Sequence, residues 1–133
     1  KLAGAHGVLT LMTDAELARL ELGTLGQQIE AAGMRWFQLP IEDDQAPDAA
    51  FEAAWQQALP DLIGLLRDGK HLVIHCKGGS GRTGLVAAAL LMSLGQPQQE
   101  AMTAIRAHRP KAFTLACHRQ WLDGLAARLA EGD

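Results

Sequence analysis

The stretch from His71 to Leu94 constrains this chain more than any other. A short apolar segment, His71-Leu72-Val73-Ile74-His75, passes directly into Cys76-Lys77-Gly78-Gly79-Ser80-Gly81 and then, through Arg82, into an apolar run ending at Leu94. The first segment has the branched aliphatics of a buried strand, and Thr83–Leu94 has the composition and length of a buried helix. Strand, tight glycine loop and helix in direct succession form the building unit of an open α/β sheet. Such sheets bind ligands at the carboxyl ends of their strands.

The rest of the chain repeats that alternation. Gly7-Val8-Leu9-Thr10-Leu11-Met12 reads as a first strand, and Thr13-Asp14 caps a helix with Glu16 in its first turn and Leu17 and Leu20 on one face. Thr24 starts a second helix, carrying Leu25 and Ile29, that stops at Gly33. Met34–Leu39 is the second strand, closed by Pro40, and an acidic loop, Ile41-Glu42-Asp43-Asp44-Gln45-Ala46, follows. Pro47-Asp48 opens a long helix with Phe51, Trp55, Ala58 and Leu62 on one face and an expected kink at Pro60. After Gly95, Pro97 starts a helix with Ala101, Ile105 and His108 on one side. Pro110 breaks it, and Thr114 caps a last helix holding Leu115, Leu122, Leu125 and Leu129. The expected fold class is therefore α/β: a short, mostly parallel sheet covered by helices on both faces, as one domain over residues 1–133.

The loop at residues 76–82 carries the chemistry. Its three glycines let backbone N–H groups turn inward without Cβ clashes, making an anion-binding nest. A helix starting at about Arg82 aims its unpaired N–H groups and positive dipole end into the same loop. Arg82 adds a planar fork suited to two phosphate oxygens. A thiol in that field ionises readily. The loop thus binds an oxyanion and sets the sulfur of Cys76 beneath its central atom.

Competing readings of the segment fit less well. Cys76 as a small packed hydrophobe leaves the glycines and Arg82 unexplained. Gly79-Ser80-Gly81-Arg82-Thr83-Gly84 matches the dinucleotide fingerprint literally, but a helix from Pro97 stands where that fingerprint requires a strand. The nucleotide-binding lysine loop needs Lys where Arg82 stands.

Composition removes other classes. A formal net charge of −3 leaves no basic footprint for nucleic acid. The longest apolar run, Gly84–Met92, is far short of the roughly 20 residues of a membrane span. Two cysteines build neither a disulfide framework nor a zinc site, and their use fits a cytoplasmic setting. No metal or cofactor is expected.

His75-Cys76, five residues, then Arg82-Thr83 resembles the signature of cysteine-dependent protein tyrosine and dual-specificity phosphatases, and within them the cyclin-dependent kinase-associated phosphatase-like group. Rhodanese-type sulfurtransferases typically have a loop one residue shorter. The likeness extends to Leu39–Asp48, similar to the stretch supplying that family's general acid, to Thr13–Leu17, and to Arg106–Ala112. It covers nearly the whole chain. The resemblance implies a protein tyrosine phosphatase-like fold and elements ahead of Gly7, so that the chain, opening at Lys1, is expected to lack its N-terminal elements.

The roles the resemblance implies are these. Cys76 attacks phosphorus and forms a phosphocysteine that water releases. Arg82 and the amides of Lys77, Gly78, Gly79, Ser80 and Gly81 hold the phosphate oxygens. Asp43, favoured over Asp44 by the Pro-Ile-x-Asp spacing, protonates the leaving oxygen and then takes a proton from water. Thr83 steadies the departing thiolate, and His75 supports the loop. Lys77 is either a contact for a highly anionic substrate or an ordinary solvated lysine. Near Arg109-Pro110 the family often continues to a Thr and then a Gln, where this chain has Leu115 and His118.

Other marked residues read as structural. Cys117 is a packed small side chain, His6, His71, His108 and His118 show no ligand spacing, and Trp36, Trp55 and Trp121 occupy core-like positions. The expected function is phosphomonoester hydrolysis through phosphocysteine on a phosphorylated protein. The alternatives are a phosphoinositide or small-molecule phosphatase of the same mechanism, and a silent phosphate-binding module. Substrate identity and oligomeric state are not encoded legibly.

Overall fold

The structure, a computed structural model, describes residues 5–42, 45–77, 81–110 and 112–131. Its frame is three short, largely apolar strands: β1 (Ala5–Thr10), β2 (Arg35–Gln38) and β3 (His71–His75). β1 lies in the middle of the order β2-β1-β3 and pairs in parallel with both neighbours. The register aligns Leu9 with Phe37 and Ile74 on one face, and Thr10 with Gln38 and His75 on the other. The first strand ends two residues earlier than the apolar run suggests. Leu11 and Met12 are nonetheless buried, and Leu11 N–H still donates to the His75 carbonyl at 3.1 Å.

Helices occupy the connections, as parallel pairing requires. α1 (Asp14–Arg19) begins with a full capping box: Thr13 Oγ1 accepts from Glu16 N–H while the Glu16 carboxylate accepts from Thr13 N–H. α2 (Leu25–Ala31) lies so close to β2 that a Cβ on Gly26 would fall 2.3 Å from the Trp36 ring. α3 (Ala49–Arg67) is capped by Asp48, which accepts from Phe51 N–H at 2.8 Å, and runs unbroken through Pro60. α3 covers the opposite face, where Leu65 reaches Gly7. Helices therefore flank both faces of the sheet.

α4 (Gly81–Ser93) is the central helix, with nine of its thirteen residues buried. This explains why Gly84–Met92 is apolar on every side: it is a core helix. α5 (Gln98–His108) buries Ala101 and Met102 but leaves His108 exposed, and α6 (Ala116–Ala130) buries His118, Leu122 and Leu125. The expected cap at Thr114 is a correction. Leu115 is the N-cap and makes no side-chain cap bond, because Phe113 turns the chain with φ 67° and Arg119 secures its carbonyl at 2.6 Å. Phe51 stacks on Trp55, and Trp121 meets both edge-on: Trp55 lies in the core as expected, and Trp121, partly buried, packs against it.

Candidate active site

β3 ends at His75 and delivers Cys76 to the carboxyl edge of the sheet, opposite the first turn of α4. Cys76 is half-buried, and Thr83 Oγ1 donates to its sulfur at 3.0 Å. Lys77 follows and is exposed. Gly78, Gly79 and Ser80 lie outside the described residues. α4 runs over Gly81–Ser93, with Arg82 in its first turn.

Arg82 has no exposed surface. Its guanidinium is held by Nη1 to Glu16 Oε1 at 2.7 Å, Nη2 to Glu16 Oε2 at 3.0 Å, and Nη1 to the Ile41 carbonyl at 2.8 Å. A buried guanidinium needs a carboxylate beside it, and the fork-on-fork geometry fixes the plane of the group as well as its charge. The hydrogen bond from Arg82 in turn holds the Glu16 carboxyl below its ordinary range. Glu16 therefore belongs to the site. The sequence marked it as a first-turn helix residue, and its capping box was the one local sign that its carboxylate is fixed in place.

His75 sits in a second chain of contacts. Its Nε2 lies 2.7 Å from Thr10 Oγ1, which also accepts from Trp36 Nε1–H at 2.9 Å. Burial pushes the His75 pKa down, favouring the neutral ring. Thr10, fully buried, is thus a second site-supporting residue that its place in an apolar strand did not reveal.

Asp43 and Asp44 lie outside the described residues, but the ends of their loop are tied down. Leu39 N–H donates to the Thr10 carbonyl at 2.9 Å, and Ile41 N–H donates to the Leu11 carbonyl at 3.0 Å. On the far side, His118 Nε2 lies 2.8 Å from the Gln45 carbonyl. Arg82 bonds the Ile41 carbonyl on one side of the two aspartates, and His118 meets the Gln45 carbonyl on the other. His118, read as one of several scattered histidines, is 1% exposed and packs against Gly81. By contrast, His6 and His71 stack at the opposite end of the strands, with β3 between them and Cys76. Cys117 is unpaired and half-buried. Among the described residues, no group of three or more His, Cys, Asp or Glu is arranged to hold a metal ion.

Comparison with known proteins agrees with this geometry. Residues 1–125 match the family described as PTP-SAK, Swiss Army Knife protein, DSP-PTPase phosphatase domain. The chain is 32% identical over 102 residues to a Rattus norvegicus protein named cyclin-dependent kinase inhibitor 3, covering 74% of this chain and 47% of the relative. It thus spans about half the length of that curated relative. Among solved structures, the kinase associated phosphatase with its catalytic-site cysteine replaced by serine superposes with a TM-score of 0.83 at 25% identity, covering 96% of this chain and 71% of that one. Tk-PTP in its active form gives 0.74 at 31% identity, covering 94% and 80%. With a cysteine and an arginine at the two ends of the loop between β3 and α4, this chain belongs to the dual-specificity and tyrosine phosphatase superfamily of cysteine-dependent phosphatases.

Proposed function

We propose that this protein hydrolyses phosphomonoesters on phosphorylated proteins through a phosphocysteine formed on Cys76, with residues 1–133 acting as one phosphatase domain. The observation that carries the reading is the 3.0 Å bond from Thr83 Oγ1 to Cys76 Sγ at the start of α4. A hydroxyl donating to sulfur stabilises the thiolate both before attack and after departure.

In the first step the Cys76 thiolate attacks phosphorus in line. The P–S bond forms, the P–O bond to the leaving group breaks, and Asp43 gives its proton to the departing oxygen. In the second step Asp43 takes a proton from water as the water oxygen attacks phosphorus. The P–S bond breaks and the thiolate returns, steadied by the Thr83 hydroxyl. Arg82 and the amides of residues 77–81 hold the equatorial oxygens throughout. Burial and the grip of Glu16 pre-orient the guanidinium, so it needs no reorganisation as charge develops.

No helix among the described residues is long and apolar enough to cross a membrane. Two unpaired cysteines accord with a cytoplasmic setting. The test is turnover of phosphotyrosyl, phosphoseryl and phosphothreonyl peptides beside a soluble phosphoinositide. Preference for the peptides supports the reading. Turnover of the phosphoinositide alone moves the substrate class and keeps the mechanism. Tight oxyanion binding without turnover replaces the enzyme with a phosphate-reading module.

A further inference from the structure

Three facts meet at His118. It is the third residue of α6, yet it is 1% exposed. Its Nε2 lies 2.8 Å from the Gln45 carbonyl, which only accepts, so the proton must sit on Nε2. In the neutral ring this leaves Nδ1 as a bare lone pair, and Nδ1 is buried with no hydrogen-bond partner among the described residues.

The ring also has a defined neighbour. A Cβ built on Gly81 would lie 3.1 Å from both Nδ1 and Cε1, so the lone-pair edge of the imidazole faces the last residue of the phosphate loop before Arg82. A buried nitrogen with no partner is costly, and a leucine or methionine would fill the same space without that cost. What an apolar side chain could not supply is the N–H on the Gln45 carbonyl. That carbonyl closes the loop holding Asp43 and Asp44, while the ring's other edge abuts Gly81.

We propose that His118 is a positioning residue for the reaction: a strut that holds the acid-bearing loop at a fixed distance from the end of the phosphate loop. The inference rests on the proposed reading that this loop supplies the general acid. His118 acts only through that loop, touching neither substrate nor the reacting sulfur. Its effect is therefore confined to steps that need the acid.

Leaving-group dependence exposes such a role. An alkyl phosphate departs as a strongly basic alkoxide and requires a proton, whereas an aryl phosphate with an activated phenol leaves with little help. His118→Met keeps the volume and deletes the donor. It is expected to lower kcat/KM for an alkyl phosphate about tenfold, the worth of one hydrogen bond, and that for the activated aryl phosphate less than about threefold. His118→Gln, whose amide N–H reaches a similar point, restores the alkyl rate to within about threefold. In an Asp43→Asn background, His118→Met is expected to add no further loss.

Equal losses on both substrates, or failure of Gln to rescue, overturn the proposal while a selective loss in Asp43→Asn alone leaves the acid reading standing. If Asp44→Asn, and not Asp43→Asn, shows the selective loss, the same comparison is made in that background. If neither does, the acid is not on this loop and the proposal falls with that reading. Should His118→Met fail to fold, the imidazole nitrogen shifts of the unmodified protein still decide. A ring protonated at Nε2 with a free Nδ1 lone pair is required, and any other tautomer contradicts the strut.

Discussion

Both carboxylate oxygens of Glu16 bond the guanidinium of Arg82, at 2.7 and 3.0 Å, across 66 residues of chain and away from water. The same Glu16 Oε1 accepts from Thr13 N–H at 3.0 Å, so one carboxylate caps α1 and orients Arg82. Removing one member of a buried pair strands the other's charge. Glu16→Gln is expected to cost about 3 kcal/mol in denaturant titration and to lower kcat/KM about a hundredfold. Thr13→Ala, which loses its cap and a long 3.4 Å hydroxyl bond to Glu16 but leaves the Glu16–Arg82 pair, should cost about 1 kcal/mol with little kinetic effect. Full activity in Glu16→Gln would mean that Arg82 is oriented without it.

Stability should fall in acid in two stages. His75 is kept neutral by burial below its ordinary value of 6.5, so the unfolded chain binds a proton first as pH drops through that value, and stability starts to fall there. Glu16 is held below its ordinary 4.5 chiefly by the hydrogen bond from Arg82. Its contribution is complete above 4.5 and is lost as pH falls through the lower folded value. Tm measured against pH is expected to show both stages, and Glu16→Gln to abolish the lower one. A lower stage surviving that substitution would assign it to other carboxylates.

The Thr83 hydroxyl should matter most when sulfur leaves. Thr83→Val keeps the shape and deletes the bond to Cys76 Sγ. Rapid-quench kinetics on an aryl phosphate are expected to show a retained burst followed by a steady state about tenfold slower, the worth of one hydrogen bond to a charged atom. Thr83→Ser should recover most of it. Equal slowing of burst and steady state would confine the hydroxyl to the helix turn.

Two glycine replacements should move stability in opposite directions. At Gly26 a Cβ meets the Trp36 ring at 2.3 Å, so Gly26→Ala must displace the indole whose N–H bonds Thr10. The expected loss is about 1–3 kcal/mol. At Gly64, inside α3, nothing lies within 4 Å of the added carbon. Gly64→Ala is expected to stabilise by about 0.5–1 kcal/mol through helix propensity. Denaturant midpoints of the two variants check both signs.

What the sequence revealed follows from how local each signal is. The strand from His71, the glycine loop and the buried helix after it are contiguous, so composition and spacing alone place Cys76, Arg82 and Thr83 together. The helix cap at Thr13 is likewise local. Glu16 against Arg82, Thr10 against His75 and His118 against Gln45 are pairings across 66, 65 and 73 residues. No periodicity encodes them; they arise from the parallel order β2-β1-β3 and the docking of α6 on α4. Thr114 misled for the opposite reason. It is a good cap by type, but the backbone turn at Phe113 places Leu115 at the cap position instead.

The most direct test of the account is rapid-quench turnover of an aryl phosphate by the unmodified chain beside Cys76→Ser, with the acid-quenched protein analysed for covalent phosphate on sulfur. The account predicts a burst of one product per chain and phosphate on the peptide containing Cys76, both lost in Cys76→Ser, whatever metal chelator is added. Turnover that survives Cys76→Ser, or a burst without phosphate on that peptide, would contradict it.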